Sequence, residues 1–224
     1  MRIVVTCGPS YEPIDEVRRL TNFSTGELGT RLAGRLAQSG CDVLCFRGVG
    51  STWSGRPDGV RIVPFATNAN LQSELEAIDG RDKVSAVFHT AALCDYIVKS
   101  VQTSDGSEIA APKIPTSEGE LKVTLAPAPK LIGELRRLFP TSRIIGWKFE
   151  LNGNRADALF AAERQMKENH TDGCVVNGAA YGAGFGFHEP GMPIVHCADR
   201  IQLCERLDRW VHRAFPAQNS NAPL

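Results

Sequence analysis

Short apolar runs of strand length alternate with longer segments of helical period along nearly the whole chain, and this alternation limits the fold more than any other feature. Residues 3–6, 43–46, 84–89, 143–149 and 173–176 are near-continuous apolar runs, too short for helices and typical of strands buried on both faces. Between them, residues 26–38 place Leu28, Leu32, Ala33, Leu36 and Ala37 at helical spacing, and Gly40 supplies the stop. Residues 68–78 behind a Thr67 cap, 129–138, 156–168, and a last segment from an Asp199 cap to about Arg213 repeat that helical pattern. Residues 61–65, 121–125 and 193–196 add further strands. The Gly-, Ser- and Pro-rich stretch 48–59 is a loop, and 182–187 reads as a flexible lid or turn. Residues 99–120 are polar and irregular, and a loop that long in a compact domain usually carries function. Strand, helix, strand in this order predicts an α/β, Rossmann-like fold: a mainly parallel, doubly wound sheet with a long active-site loop.

The 224 residues suffice for one domain over 1–215, with residues 216–224 a disordered polar tail. Twenty-five basic residues balance 25 acidic ones, which argues against nucleic-acid binding by phosphate neutralisation and leaves no polybasic patch for a membrane. No run is long enough to span a bilayer, the first residues read as a strand and not as a signal peptide, and the expected location is cytoplasmic. The seven cysteines are odd in number, form no CxxC pair and sit in apolar runs, as buried reduced thiols do; no zinc or other metal site is expected. The five histidines are scattered singly and read as structural or surface residues.

Ligands of such sheets bind at the carboxyl ends of the strands, here 7–9, 90–92, 146–150 and Asn177. A dinucleotide fingerprint would place GxGxxG after the first strand; Gly8-Pro9-Ser10 stands there instead, followed by a long insertion. In the segment 22–29, Ser24 or Thr25 can cap the helix while Gly26 admits a ligand to the backbone, so free N–H groups favour a phosphate; a plain capped helix fits the spacing equally. Arg18, four residues before Asn22, either faces the same ligand or forms a solvated pair with Arg19. Asp95 follows a strand end and either reads a base or ribose or forms a turn. Lys113 in the long loop either closes over a substrate or is merely exposed, and Lys148 ends a strand within reach of a phosphate. There is no nucleophile elbow and no GxxxxGK[ST] loop.

Taken together, residues 6–18 (TCGPSYEPIDEVR), 22–29 (NFSTGELG), 91–96 (AALCDY), Lys113-Ile114, 127–132, 146–150 (GWKFE) and 172–177 resemble the phosphopantothenoylcysteine synthetase family, in its stand-alone form, from Ile3 to about Arg213. The resemblance implies a ligase of coenzyme A biosynthesis. It would join 4′-phosphopantothenate to cysteine through an acyl-nucleotide, with CTP or ATP as co-substrate, Mg²⁺ on the triphosphate and no flavin. It implies that Lys113 serves acyl-nucleotide formation, that Asn22, Arg18 and Ala92 serve the intermediate and the second step, and that Gly8, Ser10, Asp95 and Phe149 contribute to the nucleotide site. Ser24, Gly26, Lys148 and Arg164 complete the expected nucleotide contacts. A homodimer is implied, with Asn22 also reaching the neighbouring subunit's pantothenate. Cys7 replaces a usual alanine, Ser10 a threonine and Trp147 a phenylalanine, and Glu168 falls where a lysine facing the triphosphate is common. Two other readings are an NAD(P)-dependent reductase and a non-catalytic nucleotide-binding module. The missing GxGxxG and the three-residue spacing of Tyr96 and Lys99 count against the first; Glu168 alone encourages the second.

Overall fold

A computed structural model of the chain describes residues 1–215; the expected tail, 216–224, lies outside the described residues. The chain opens with β1 (Arg2–Cys7), then a hairpin of two three-residue strands, β2 (Tyr11–Pro13) and β3 (Arg19–Thr21). There follow α1 (Glu27–Gln38), β4 (Asp42–Gly48), β5 (Val60–Phe65) and α2 (Asn68–Glu76), which Thr67 caps by accepting from the Asn70 N–H. Then come β6 (Val84–His89), β7 (Tyr96–Thr103), β8 (Leu121–Pro127), α3 (Leu131–Leu138) and β9 (Arg143–Phe149). The rest is α4 (Arg155–Asn169), β10 (Gly173–Asn177), β11 (Phe185–His188), β12 (Val195–Cys197) and α5 (Arg200–Ala214).

Eight strands form one sheet in the order β12-β11-β10-β9-β6-β1-β4-β5. The strands from β10 to β5 in that order are parallel, and β11 joins antiparallel to β10 and to β12. The order reverses between β1 and β6, which is the topological switch point of a doubly wound sheet. Alternation along β1 explains why its run is continuously apolar. Ile3, Val5 and Cys7 pack with Leu32, Leu36, Leu203 and Leu207 of α1 and α5. Val4 packs on the other face with Leu71, Leu75, Leu131 and Leu135 of α2 and α3. Burying a leucine fully is worth roughly 1.5–3 kcal/mol, so the four that close the first face fix α1 and α5 against the sheet. All seven cysteines are buried and free, as expected.

The insertion after β1 is the β2–β3 hairpin. Three local expectations change. Residues 99–120 are not irregular throughout: β7 and β8 pair antiparallel as a two-stranded arm outside the main sheet, and only the stretch between them is irregular. The supposed lid at 182–187 contains the start of β11, a member of the main sheet. Helix α3 begins at Leu131, two residues after the Pro129 expected to open it, with Lys130 at its cap.

At the carboxyl end of β6, His89 is buried and its Nδ1 lies 2.8 Å from Thr6 Oγ1. Burial lowers its pKa to about 4. A histidine neutral in the fold but titrating near 6.5 when unfolded stabilises fully above pH 6.5, and that contribution is lost as pH falls towards 4. Denaturant melts should therefore show stability falling by about 3 kcal/mol from this group across that window, and His89→Gln should flatten that part of the profile.

Candidate active site

The carboxyl ends of β1 and β6 flank the switch point, where a doubly wound sheet leaves a cleft for ligands. Beyond β1 and β6 the chains stay paired: Ala92 N donates to Gly8 O at 3.0 Å, Ser10 N to Ala92 O at 3.3 Å, and Pro9 bridges Ala92 in parallel register. Gly8 and Gly26 both adopt left-handed φ, 77° and 74°. Gly26 itself occupies the cap position of α1, and no side chain bonds there as the cap. Thr25 Oγ1 instead accepts from Glu27 N, and Ser24 makes no cap bond. What comes close to both glycines is Ser51: a Cβ on Gly8 would lie 2.0 Å from its Oγ, and one on Gly26 2.6 Å. The bare backbone at both turns thus accommodates the loop after β4. Among the described residues Ser51 Oγ is buried without a hydrogen-bond partner, a costly arrangement that sequence patterning does not reveal.

Ser10 is fully buried and its hydroxyl accepts from Cys94 N at 2.8 Å. It therefore holds the two loops together and does not point at a ligand. Thr21 Oγ1 donates to Ser10 O, and Asn22 Nδ2 donates to Leu93 O at 2.8 Å, which fixes the exposed amide of Asn22 beside Ala92. Asp95 forms an exposed ion pair with Lys130 at the base of the arm.

The most connected group is one the sequence reading passed over. Asp15 has 1% of its side chain exposed and accepts from Arg18 Nε at 3.0 Å and Arg18 Nη2 at 2.5 Å. It also accepts from the N–H groups of Val17, Arg18 and Ile114. Arg18 Nη2 donates in turn to Ile114 O at 2.6 Å. Burial would raise the carboxyl's pKa, but the guanidinium and the backbone N–H groups outweigh it and hold it well below the usual carboxylate range. Arg18 is thus neither a solvated pair with Arg19 nor free to devote its fork to a ligand. It pins Ile114, and with it the exposed Lys113, against the β2–β3 hairpin.

On the far side of the cleft, Lys148 pairs with Glu150 at 3.0 Å and Phe149 is 60% exposed at the end of β9. Arg164 is not brought to this edge. It lies nine residues beyond Arg155 in α4, roughly 14 Å along the helix at about 1.5 Å per residue, and pairs on the solvent face with Glu168 at 3.8 Å. The residue that α4 does present at its start is Arg155, which stacks 4.3 Å over the Tyr181 ring and donates to its hydroxyl. Among the described residues no three or more His, Cys, Asp or Glu side chains cluster to hold a metal, and no helix is long and apolar enough to cross a membrane.

A Rossmann-like α/β domain with a switch point between β1 and β6, and with a hairpin and a two-stranded arm outside the main sheet, is the class this geometry defines. The family described as DNA/pantothenate metabolism flavoprotein C-terminal domain matches residues 1–209, and the chain belongs to it. A cysteine/cysteine sulfinic acid decarboxylase from an unidentified prokaryote is 24% identical over 208 residues, covering 91% of this chain and 53% of that protein. The coenzyme A biosynthesis bifunctional protein CoaBC of Thermococcus kodakarensis is 28% identical over 179 residues, covering 79% of this chain and 41% of that protein. The chain therefore spans about half the length, or less, of these curated relatives. The fold is shared with the crystal structure of the DNA/pantothenate metabolism flavoprotein of Streptococcus pneumoniae, with a TM-score of 0.83, 21% identity, and coverage of 96% of this chain and 99% of that one.

If Asp15 is the clamp, Asp15→Asn should release the arm while leaving the sheet intact. Limited tryptic digestion should then cut after Lys113 at least several-fold faster, with the circular dichroism spectrum unchanged; equal cutting rates would show that the arm is held by other contacts.

Proposed function

We propose that the chain is the synthetase half of the pathway that the CoaBC relatives are named for: a ligase that couples 4′-phosphopantothenate to cysteine. The observation that carries this reading is the clamp of Asp15, Arg18 and Ile114, which holds Lys113 to the hairpin that leads into Asn22. The substrate carboxylate attacks the α-phosphate of CTP or ATP, pyrophosphate leaves, and the cysteine amine then attacks the acyl carbon and expels the nucleoside monophosphate. No enzyme nucleophile is required, so catalysis is positioning and charge stabilisation.

Lys113 neutralises charge developing on the phosphates in the first step. The Asn22 amide donates one N–H to Leu93 O, which leaves the other to hold the acyl phosphate. Ala92 supplies backbone beside it. Arg18 acts as a positioning residue, which narrows the more direct role that the resemblance implied. The Gly8 and Gly26 turns, Lys148 and Phe149 bound the nucleotide, while Ser10 and Asp95 support it from behind. Mg²⁺ would arrive on the triphosphate oxygens, a preference of that ion in phosphate sites. A reductase is disfavoured because the turn after β1 enters a hairpin instead of opening α1, so no dinucleotide cradle forms there.

The arm and hairpin expose Val17, Leu20, Phe23, Tyr96, Ile97, Val123 and Leu125. That concentration of apolar side chains supports a homodimer built through the arm.

Pyrophosphate release tests the ligase directly, with phosphopantothenate, cysteine, Mg²⁺ and either nucleotide supplied. Lys113→Gln should slow release at least 100-fold. Asn22→Asp should release pyrophosphate but accumulate acyl-nucleotide, because the added charge repels the acyl phosphate. No pyrophosphate from the unmodified chain with either nucleotide would leave a nucleotide-binding module without turnover. Leu125→Lys should shift the chain from dimer to monomer in sedimentation; an unchanged mass would place any interface elsewhere.

A further inference from the structure

A cavity of about 340 Å³ lies between α1 and α5, away from the cleft. It runs along α1 from Thr30 to Gln38, and Trp53 and Pro57 of the loop after β4 form its outer wall. Gly34 makes the space possible: a Cβ there would stand 2.7 Å from Pro57 Cβ, so the loop can close only over bare helix backbone. Cys204 lines the floor, and burial pushes its thiol up to about 12, so it stays neutral and adds apolar surface.

Guanidinium groups stand at the rim. Arg31 lies 5.1 Å over the Trp53 ring and bonds Glu27, Arg35 bonds Asp208, and Arg200 has no ion pair among the described residues. Glu205 is the acidic residue of the lining. An apolar slot, an indole wall already stacked by one guanidinium and a second guanidinium without a partner together suit a flat ring that carries negative charge. We propose that this cavity is a second binding site, for a small planar anion such as an aromatic carboxylate or sulfonate, and that its occupancy is felt in the cleft.

The coupling has a physical route. The wall that an occupant would press on belongs to the same loop whose Ser51 Oγ sits between the Gly8 and Gly26 turns. Trp53 N also donates to Thr25 O at 3.1 Å, directly before α1. Displacing Trp53 and Pro57 therefore moves the groups that shape both turns. This site does not depend on the ligase reading.

The test uses 8-anilinonaphthalene-1-sulfonate with the full chain. Fluorescence titration should give one saturable site per chain that still fills in the presence of excess CTP or ATP with Mg²⁺, because nucleotide in the cleft can shift its affinity through the coupling but does not compete for the cavity. Affinity should fall at least tenfold in Trp53→Ala and in Arg200→Glu; Arg200 is exposed at the start of α5, so its replacement leaves the fold intact. Complete competitive exclusion by nucleotide, absence of saturable binding, or unchanged affinity in Arg200→Glu would overturn the site. Hydrogen exchange should show the probe slowing amides 49–57 together with 26–30; slowing confined to α5 would overturn the coupling.

Discussion

Burial of β1 on both faces is the constraint from which the rest of the molecule follows. A strand with Ile3, Val4 and Val5 wholly out of water must have its N–H and C=O groups paired on both sides, and β4 and β6 do this in parallel register. Parallel neighbours require crossovers, and the crossovers of β4 and β6 diverge on either side of β1. The backbone can leave the sheet only at the carboxyl end of that divergence. The cleft of such a sheet lies where the pairing runs out, and the Ala92 N–Gly8 O bond carries the pairing past the ends of β1 and β6.

The other half of the site is hung on this frame. The hairpin and the arm contribute little to the two main apolar cores, and they converge on one buried carboxylate. Asp15 satisfies three backbone N–H groups and a guanidinium at once, an arrangement whose polar groups are worth more together than separately because each shields the others from an unpaired burial. Lys113 therefore owes its location to electrostatics in a local pocket, while the glycine turns owe theirs to the sheet.

How much of this could be read from residues differs by element, for physical reasons. The central strands and α1 were legible because two-sided burial and the 3.6 period leave strong patterns. The β2–β3 hairpin was not: its strands are three residues each, one ends in Pro13, and Arg19-Leu20-Thr21 is wholly exposed. β7 hid because Lys99 interrupts Tyr96-Ile97-Val98 and a register irregularity follows Val98. β11 looked like a turn because of Gly186, yet a Cβ there would sit 2.6 Å from the Tyr181 ring, so that glycine serves packing. Helical period revealed α4 but not which end lies near the strand ends; Arg164 was named because the resemblance places a cation there, and Arg155 at the helix start went unnoticed. Arg18 drew notice for its distance from Asn22, although the informative spacing was the three residues back to Asp15.

The two borders of the main sheet bear on how the chain behaves in a crowd. At one border β5 carries Pro64, which has no N–H to offer an incoming strand; at the other, β12 is only three residues long. Neither border is a template for adding a strand from a second molecule. In the β7–β8 arm, residues 107–109 already bond the outer side of β7, so among the described residues the long open edge is that of β8; strand-by-strand growth would begin there, and a chain with that edge covered should stay in solution at concentrations where open-edged sheets precipitate.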